Sequence, residues 1–198
     1  MHDYLSHFDV VSGAITLKDG TFAPSQKRYL SDLKGMFVDE TAYEAALVRE
    51  NSLVYEVASV TPAEGQGDLA YGLGRIMPGC VGSEFYLTKG HFHAWPAAAE
   101  WYIGLEGEGV MVLEDETRSQ TRVVPLTPHS AVYVPGHTAH RTVNTGSSVL
   151  AYLGIYPAQA GHDYASLLDT PFQKCVVAAN SDSHQSYHVI DRNTYQRQ

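Results

Sequence analysis

Short apolar and aromatic segments, separated by Gly, Pro, Asn and Asp, dominate the chain from Leu53 onwards. Many short strands with turn residues between them are typical of antiparallel barrels and jelly rolls. The hydrophobic pattern therefore predicts an all-β domain of this kind. Its seven strand-like segments are LVYEVASV, LAYGLGRIMPG, EFYLTKGHFH, EWYIGLEGEGVMVLE, TRVVPLTPHSAVYVPG, AHRTVNTG and SVLAYLGIYP.

The pattern differs on either side of these segments. The stretch FVDETAYEAALVRE, residues 37–50, has apolar residues at helical spacing, with Asp39 or Thr41 as a candidate N-cap. Residues 158–198 are less regular. We predict an N-terminal arm, residues 1–50, that packs on the barrel. Residues 51–198 are predicted to form a single domain with a C-terminal extension.

Charge and composition narrow the classes of partner. The 198 residues carry a formal net charge of −9, which argues against nucleic-acid binding because phosphates are neutralised by clustered Lys and Arg. A small phosphorylated ligand stays possible, since backbone amides and hydroxyls hold phosphate locally. We find no leader pattern, no apolar run of the ~20 residues that a membrane span needs, and two cysteines outside any CxxC. These features predict a soluble cytoplasmic protein.

The stretch TKGHFHAWPAAAEWY contains the strongest chemical signal. In a strand, His91 and His93 point to one face, and after a turn at WPAAA the side chain of Glu100 lies on the next strand. Two imidazoles and a carboxylate that converge inside a barrel suit a divalent metal such as Fe, Mn or Zn. The sequence therefore predicts a metal site.

A fourth ligand is expected from AVYVPGHTAHRTVNTG, which offers two histidines. His137 falls in the turn after Pro135–Gly136, whereas His140 opens a strand in phase with Thr142 and Asn144. We therefore favour His140. Arg141 and Asn144 are expected to brace this motif, and Asn144 is also a candidate to orient His140.

These residues resemble the two cupin motifs, Gly-x5-His-x-His followed by Glu, here with Gly90 directly before the first histidine, and Pro-Gly-x-x-x-His-x3-Asn, here Pro135 to Asn144. Within the cupins, the combination of TKGHFHA, E-x-Y-x-x-L-x-G-x-G, AHRTVNTG and YPAQAGHDY is similar to the cupin-type glucose-6-phosphate isomerases of archaea and some bacteria. The similarity covers about residues 50–167. It implies a double-stranded β-helix, a homodimer, and interconversion of glucose 6-phosphate and fructose 6-phosphate.

The resemblance also implies the residues of the site. One divalent ion is expected per subunit, with Fe(II) the first choice and Mn(II) or Zn(II) the alternatives. Its implied ligands are His91, His93, Glu100 and His140. The implied substrate-binding residues are Tyr55, Thr88, Gly90, Tyr102, Tyr156, His162 and Tyr164.

One position departs from the family pattern. Gly74 stands where these isomerases tend to carry a threonine close to the phosphate. A missing hydroxyl would weaken phosphate binding or transfer the role to Thr88, at a cost on the order of 1–3 kcal/mol if water does not replace it.

The implied reaction admits two mechanisms. In the first, Glu100 acts as the base that removes the C2 proton to give a cis-enediol, and His162 or Tyr156 assists ring opening. In the second, the ion polarises the substrate oxygens and hydride moves directly between C2 and C1. The sequence does not choose between them.

Three other functions use the same barrel. A cupin dioxygenase or oxidase with a three-His-one-Glu iron site is the main alternative, although the Thr, Tyr and Gly residues favour a polar ligand. A non-catalytic sugar-binding or storage cupin is disfavoured because all four ligands are present. Mannose 6-phosphate chemistry stays open because the pocket geometry that sets C2 stereochemistry is not encoded locally.

Overall fold

The computed structural model describes residues 5–117, 119–179 and 186–195, which are folded mainly as antiparallel β-sheet. A 3-10 turn spans Leu30–Leu33, and the helices are α1 (Glu40–Arg49), α2 (Ala165–Asp169) and α3 (Arg192–Tyr195). The strands are β1 (Ser6–Asp9), β2 (Ala14–Leu17), β3 (Ser25–Tyr29), β4 (Leu53–Val60), β5 (Leu69–Ile76), β6 (Cys80–Val81), β7 (Glu84–Phe85), β8 (Glu100–Glu106), β9 (Gly109–Asp115), β10 (Thr121–Leu126), β11 (Ala131–Val134), β12 (Thr138–Asn144), β13 (Leu150–Pro157), β14 (Lys174–Ala178) and β15 (Tyr187–Asp191).

Two sheets form the barrel. The larger has the order β11-β8-β13-β5-β4-β3, and the smaller has the order β10-β9-β12. Isolated bridges from Leu87 to Val143 and from His91 to His140 add the segment after β7 to the smaller sheet. Apolar side chains from both sheets form one cluster, so the hydrophobic core lies between them. The predicted all-β jelly-roll architecture is confirmed.

Along the strands of the larger sheet, the inner face is filled by large apolar side chains at one end and borders a cavity towards the other. Large side chains such as Ile76 and Leu150 fill one end. Towards the other end, Gly72 on β5 and Gly154 on β13 occupy inward positions and line a cavity. Because glycine has no side chain, these positions leave space inside a barrel of this small size.

The N-terminal residues join the barrel at several points. Strand β3 pairs with β4 and forms the edge of the larger sheet. Asp39 caps α1 by accepting a hydrogen bond from the Ala42 amide at 2.8 Å, so Asp39 and not Thr41 is the N-cap. Buried side chains of this region belong to the same hydrophobic cluster as the barrel; they include Leu30, Leu33, Phe37, Tyr43 and Ala46.

The segment EFYLTKGHFH departs from the expected continuous strand. Only Glu84–Phe85 forms a strand, and the rest is attached through single bridges at Leu87, His91 and Phe92. Gly90 has φ +73°, a left-handed conformation that glycine adopts readily, and this interrupts the strand just before the first histidine. Among the described residues, none of the helices has the length and apolar character needed to cross a membrane.

Candidate metal centre and active site

Four side chains converge between the two sheets. One potential ligand atom from each of His91, His93, Glu100 and His140 lies within 4.8 Å of the others. Glu100 begins β8, His140 lies on β12, and the two other histidines lie on the bridged segment that pairs with β12. The turn at residues 94–97 brings that segment back to β8, as the sequence predicted.

Two of the imidazoles are held in the tautomer that suits a metal ligand. His93 Nδ1 donates to the Ala98 carbonyl at 3.0 Å, and His140 Nδ1 donates to the Thr138 carbonyl at 3.1 Å. A carbonyl oxygen only accepts, so each Nδ1 carries its proton and each Nε2 is directed at the centre. This arrangement fits a metal site.

Glu100 supplies the negative charge. Its Oε2 lies 3.2 Å from Nε2 of His93 and 3.2 Å from Nε2 of His140. Burial raises the pKa of Glu100, but hydrogen bonds and charge from the two histidines outweigh it and lower the pKa to about 2. The carboxylate is therefore ionised and buried, which requires a cation beside it.

Protonation alone leaves some of the buried ring nitrogens in this cluster without a hydrogen-bond partner. Nε2 of His91 is buried and has no hydrogen-bond partner among the described residues, and Nε2 of His140 is buried with only the Glu100 carboxylate, at 3.2 Å, beside it. Burial and the neighbouring histidines hold the pKa of His91 well below its usual value, so this imidazole stays neutral. Three imidazole nitrogens and one carboxylate oxygen around a common point suit a divalent cation better than a proton.

A cavity of about 410 Å³ opens beside the cluster. Its wall includes His91, Glu100 and His140, while His93 lies behind them. All the substrate-binding residues expected from the sequence line this cavity: Tyr55, Thr88, Gly90, Tyr102, Tyr156, His162 and Tyr164.

One end of the cavity is formed by the loop from Thr88 to Gly90. A Cβ on Gly90 would lie 2.6 Å from the Phe172 ring, so no other residue fits there without a shift. Arg141 donates to the Lys89 carbonyl at 2.8 Å and lies 4.3 Å above the Phe172 ring, which fixes the loop. Arg141 therefore braces the site, as expected.

Aromatic rings and the imidazole of His162 form another part of the cavity wall. His162 lies 4.4 Å from His91 between ring centroids and stacks on Tyr164 at 5.8 Å. Burial lowers the pKa of His162, so its imidazole is neutral. The two hydrogen bonds between Phe92 and Asp163 tie this wall to the segment that carries the first two histidines.

Gly74 and Asn144 differ from expectation, whereas His137, which was not favoured as the fourth ligand, agrees with it. Gly74 is not a gap in the wall: a Cβ there would lie 2.3 Å from Cζ of Tyr152, whose ring fills the space. His137 is largely exposed and pairs with Glu116 at 2.8 Å, away from the cluster. Asn144 does not orient His140; its amide donates to the carbonyls of Ile76 and Ser148, because it closes the turn after β12.

Sequence reasoning missed several cavity residues. Strand β13 presents Tyr152 next to the predicted Tyr156, in phase with it. Strands β4 and β3 present Ser59, Gln26 and Arg28. Side chains alternate along β4, so the inward direction of Tyr55 would have indicated that Ser59 also points inwards. No local signal in the sequence predicted that β3 lies beside β4.

The fold and the four converging side chains define a barrel of the cupin class with a candidate metal centre. The chain belongs to the glucose-6-phosphate isomerase (GPI) family, whose model matches residues 27–192. A glucose-6-phosphate isomerase from Thermococcus kodakarensis is 45% identical over 170 residues, covering 85% of this chain and 89% of that protein.

Two further matches, one curated protein and one solved structure, are less similar to this chain. A glucose-6-phosphate isomerase from Sinorhizobium medicae is 40% identical over 159 residues, covering 79% of this chain and 71% of that protein. A solved structure of oxalate oxidase is similar at a TM-score of 0.48 with 13% identity, over 57% of this chain and 56% of that chain.

Proposed function

We propose that this protein is a metal-dependent aldose–ketose isomerase that interconverts glucose 6-phosphate and fructose 6-phosphate. The observation that carries the proposal is a hydroxyl-lined cavity that opens onto the four-residue cluster, in a chain of the glucose-6-phosphate isomerase family.

The metal would be held by His91, His93, Glu100 and His140. Fe(II) is the first choice, with Mn(II) and Zn(II) as alternatives, because imidazole and carboxylate donors accept all three ions and availability decides among them. When bound, the ion supplies Lewis acidity towards sugar oxygens.

The substrate phosphate is placed at the Thr88–Gly90 end of the cavity. The Thr88 hydroxyl and the Gly90 amide are hydrogen-bond donors there, and the phenols of Tyr55 and Tyr164 add two more. Tyr102 hydrogen-bonds to Glu100 and is oriented towards the sugar hydroxyls. The sugar chain then extends from the phosphate towards Glu100.

The two oxygens of Glu100 support a double role. Its Oε2 lies beside His93 and His140, whereas Oε1 is 2.6 Å from the point where a Cβ on Gly154 would lie. Because Gly154 lines the cavity, the absence of its side chain leaves Oε1 accessible from the substrate side. One oxygen can therefore face the ion while the other faces C2 of the sugar.

The reaction begins with opening of the sugar ring, assisted by neutral His162 or by Tyr156. Glu100 then takes the C2 proton, the electrons of the C–H bond form the C1–C2 double bond, and the carbonyl electrons move to O1, which takes up a proton to give a cis-enediol. Return of the proton to C1 and loss of the O2 proton give the ketose. The alternative is a hydride shift, in which the hydrogen moves from C2 to C1 with its electron pair.

The first test is metal dependence. Purified protein is stripped with a chelator, restored anaerobically with Fe(II), Mn(II) or Zn(II), and assayed for glucose 6-phosphate formation from fructose 6-phosphate. Glu100→Gln should lose activity, while Glu106→Gln, at the exposed end of the same strand, should keep it. Inactivity of the wild type with every ion would refute the proposal, and oxygen uptake would then test the dioxygenase alternative.

The second test separates the mechanisms. Glucose 6-phosphate is converted in heavy water and the ketose is examined by NMR. Deuterium at C1 supports the enediol route, because the proton on Glu100 exchanges with solvent. Its complete absence supports the hydride shift.

The wider setting belongs to the same proposal. We expect a cytoplasmic homodimer, with residues 1–50 as an arm on the single domain of residues 51–198. Light scattering coupled to gel filtration tests the oligomer: a dimer has about twice the 21.7 kDa chain mass.

A further inference from the structure

Arg28 brings a positive charge to the cavity from the edge strand β3. Its side chain is partly buried and lines the cavity together with Tyr55 and Gln26. The preceding residue, Lys27, lies on the other face of the strand, where it is more than half exposed and 3.8 Å from Glu56. The two adjacent positive side chains therefore lie on opposite faces of β3, with Arg28 in the cavity and Lys27 on the outer surface.

The register of β3 explains this orientation. Arg28 lies opposite Tyr55 on β4, and the register shifts at a bulge between Arg28 and Tyr29. Bulges near functional sites redirect side chains. Burial raises the pKa of Tyr55 to about 12, against a hydrogen bond with the Lys89 backbone and against the charge of Arg28. Tyr55 therefore bonds to the Thr88–Gly90 loop and lies opposite the arginine on the neighbouring strand.

The charge of Arg28 is not neutralised within the part of the chain that the structure describes. No carboxylate there lies within ion-pair distance of it, and its guanidinium donates hydrogen bonds to the Lys27 carbonyl at 3.2 Å and to Gln26 Oε1 at 3.1 Å. The charged residues that line the cavity are Arg28, Lys89 and Glu100. Because Glu100 belongs to the metal cluster, the remaining lining charge is positive, which suits an anionic ligand.

We propose that Arg28 is a specificity-determining residue that selects phosphorylated over unphosphorylated sugars by binding the substrate phosphate at the cavity mouth. This rests on the proposed function for the identity of the substrate, but the binding of phosphate is testable without turnover. A guanidinium suits this role because it stays charged at every physiological pH and presents several donors to phosphate oxygens.

The test compares Arg28→Gln with Lys27→Gln in metal-loaded protein. Each variant removes one positive charge from β3, but only the first alters the cavity. Inorganic phosphate is titrated by calorimetry, and KM and kcat are measured with fructose 6-phosphate. Arg28→Gln should weaken phosphate binding and raise KM by about tenfold, with little change in kcat, as expected for a lost charge-assisted hydrogen bond. Lys27→Gln should match the wild type.

A further variant separates charge from geometry and from folding. Arg28→Lys keeps the charge and should recover part of the phosphate affinity, while melting temperatures show whether each variant is folded. Equal phosphate affinity of Arg28→Gln and Lys27→Gln would overturn the inference, and so would a wild type that does not bind phosphate. A wild type that binds phosphate in an Arg28-dependent way but lacks isomerase activity would refute only the proposed function.

Discussion

Tyr152 and Gly74 form a pair in which one residue requires the other to be small. The Tyr152 ring occupies the volume in which any side chain at position 74 would begin. Packing against this ring therefore excludes the threonine that the resemblance implies, and the Tyr152 hydroxyl lies 2.6 Å from where a Cβ on Gly74 would lie.

Gly74→Ala should destabilise the protein by about 1–3 kcal/mol, because the new methyl group would overlap a buried ring. Gly72→Ala is the control on the same strand: its Cβ would lie 3.2 Å from Val57 Cγ1, a contact that a small side-chain shift relieves. Denaturant unfolding measures both. In a Tyr152→Leu background the cost of Gly74→Ala should shrink, and an unchanged cost would exclude the proposed overlap.

His140 and His137 test the fourth ligand directly. His140→Gln should reduce the bound metal, measured by mass spectrometry of desalted protein, to a small fraction of the wild-type content. His137→Gln should leave the content unchanged, because this side chain is exposed and pairs with Glu116. Equal metal content in the two variants would place the metal elsewhere.

At this scale the sequence predicted the positions that follow one alternating pattern. His91, His93 and Glu100 could be predicted as one cluster because their spacing around a turn directs their side chains to the same side of the sheet. Arg28 and Tyr152 were not singled out, because their roles depend on which strands become neighbours. The carbonyls of Ala98 and Thr138 carry no sequence signal, since any residue supplies a carbonyl.

Helix α1 illustrates what an element contributes. Its start is held by the Asp39 cap and by Glu84, whose Oε1 accepts from the Val38 amide at 2.6 Å and from the Asp39 amide at 3.3 Å. Burial raises the pKa of Glu84, against these bonds. The helix is thereby anchored to β7, close to the segment that leads into the metal cluster.

Asp39→Ala should cost about 1 kcal/mol of stability through loss of the N-cap. Thr41→Ala, inside the exposed first turn, should be neutral or slightly stabilising because alanine favours helix. Thermal unfolding of both variants under identical metal loading measures the difference. A larger loss in Thr41→Ala would mean that the helix begins elsewhere.

The elements themselves were largely predictable, with one instructive exception. The alternating segments gave the strands of the larger sheet, and capping residues bounded the helix. The segment from Tyr86 to His93 contains strand-like residues, yet Gly90 and the cavity replace a continuous ladder by single bridges. The strand preference of these residues is therefore overridden where the segment borders the cavity.

A metal ion held by the four candidate ligands would couple to the fold across the whole molecule, because these residues come from both sheets and from the bridged segment. Metal at about 1,000 times its dissociation constant adds about 4 kcal/mol to the free energy of unfolding. For a chain of 198 residues we expect a rise in melting temperature of about 8–16 °C. Calorimetry before and after chelation measures it. Identical melting temperatures would show that the cluster holds no ion tightly.

At this scale, turn spacing and strand count predicted a closed barrel, whereas the pairing order of its strands was not encoded locally. The edge position of β3 depends on contacts with β4, some thirty residues away, and such contacts leave no short motif. The N-terminal residues therefore proved harder to place than the barrel that they complete.

The paired backbone hydrogen bonds between Phe92 and Asp163 join the segment that carries two candidate metal ligands to a segment of the cavity wall. Phe92 lies between two candidate ligands, and Asp163 lies between His162 and Tyr164 at the cavity wall. A wall that swings outwards must break the same bonds that steady the ligands. If sugar enters by such a movement, it loosens the support of the candidate ligands each time, and the residence time of the ion should be shorter during turnover than at rest.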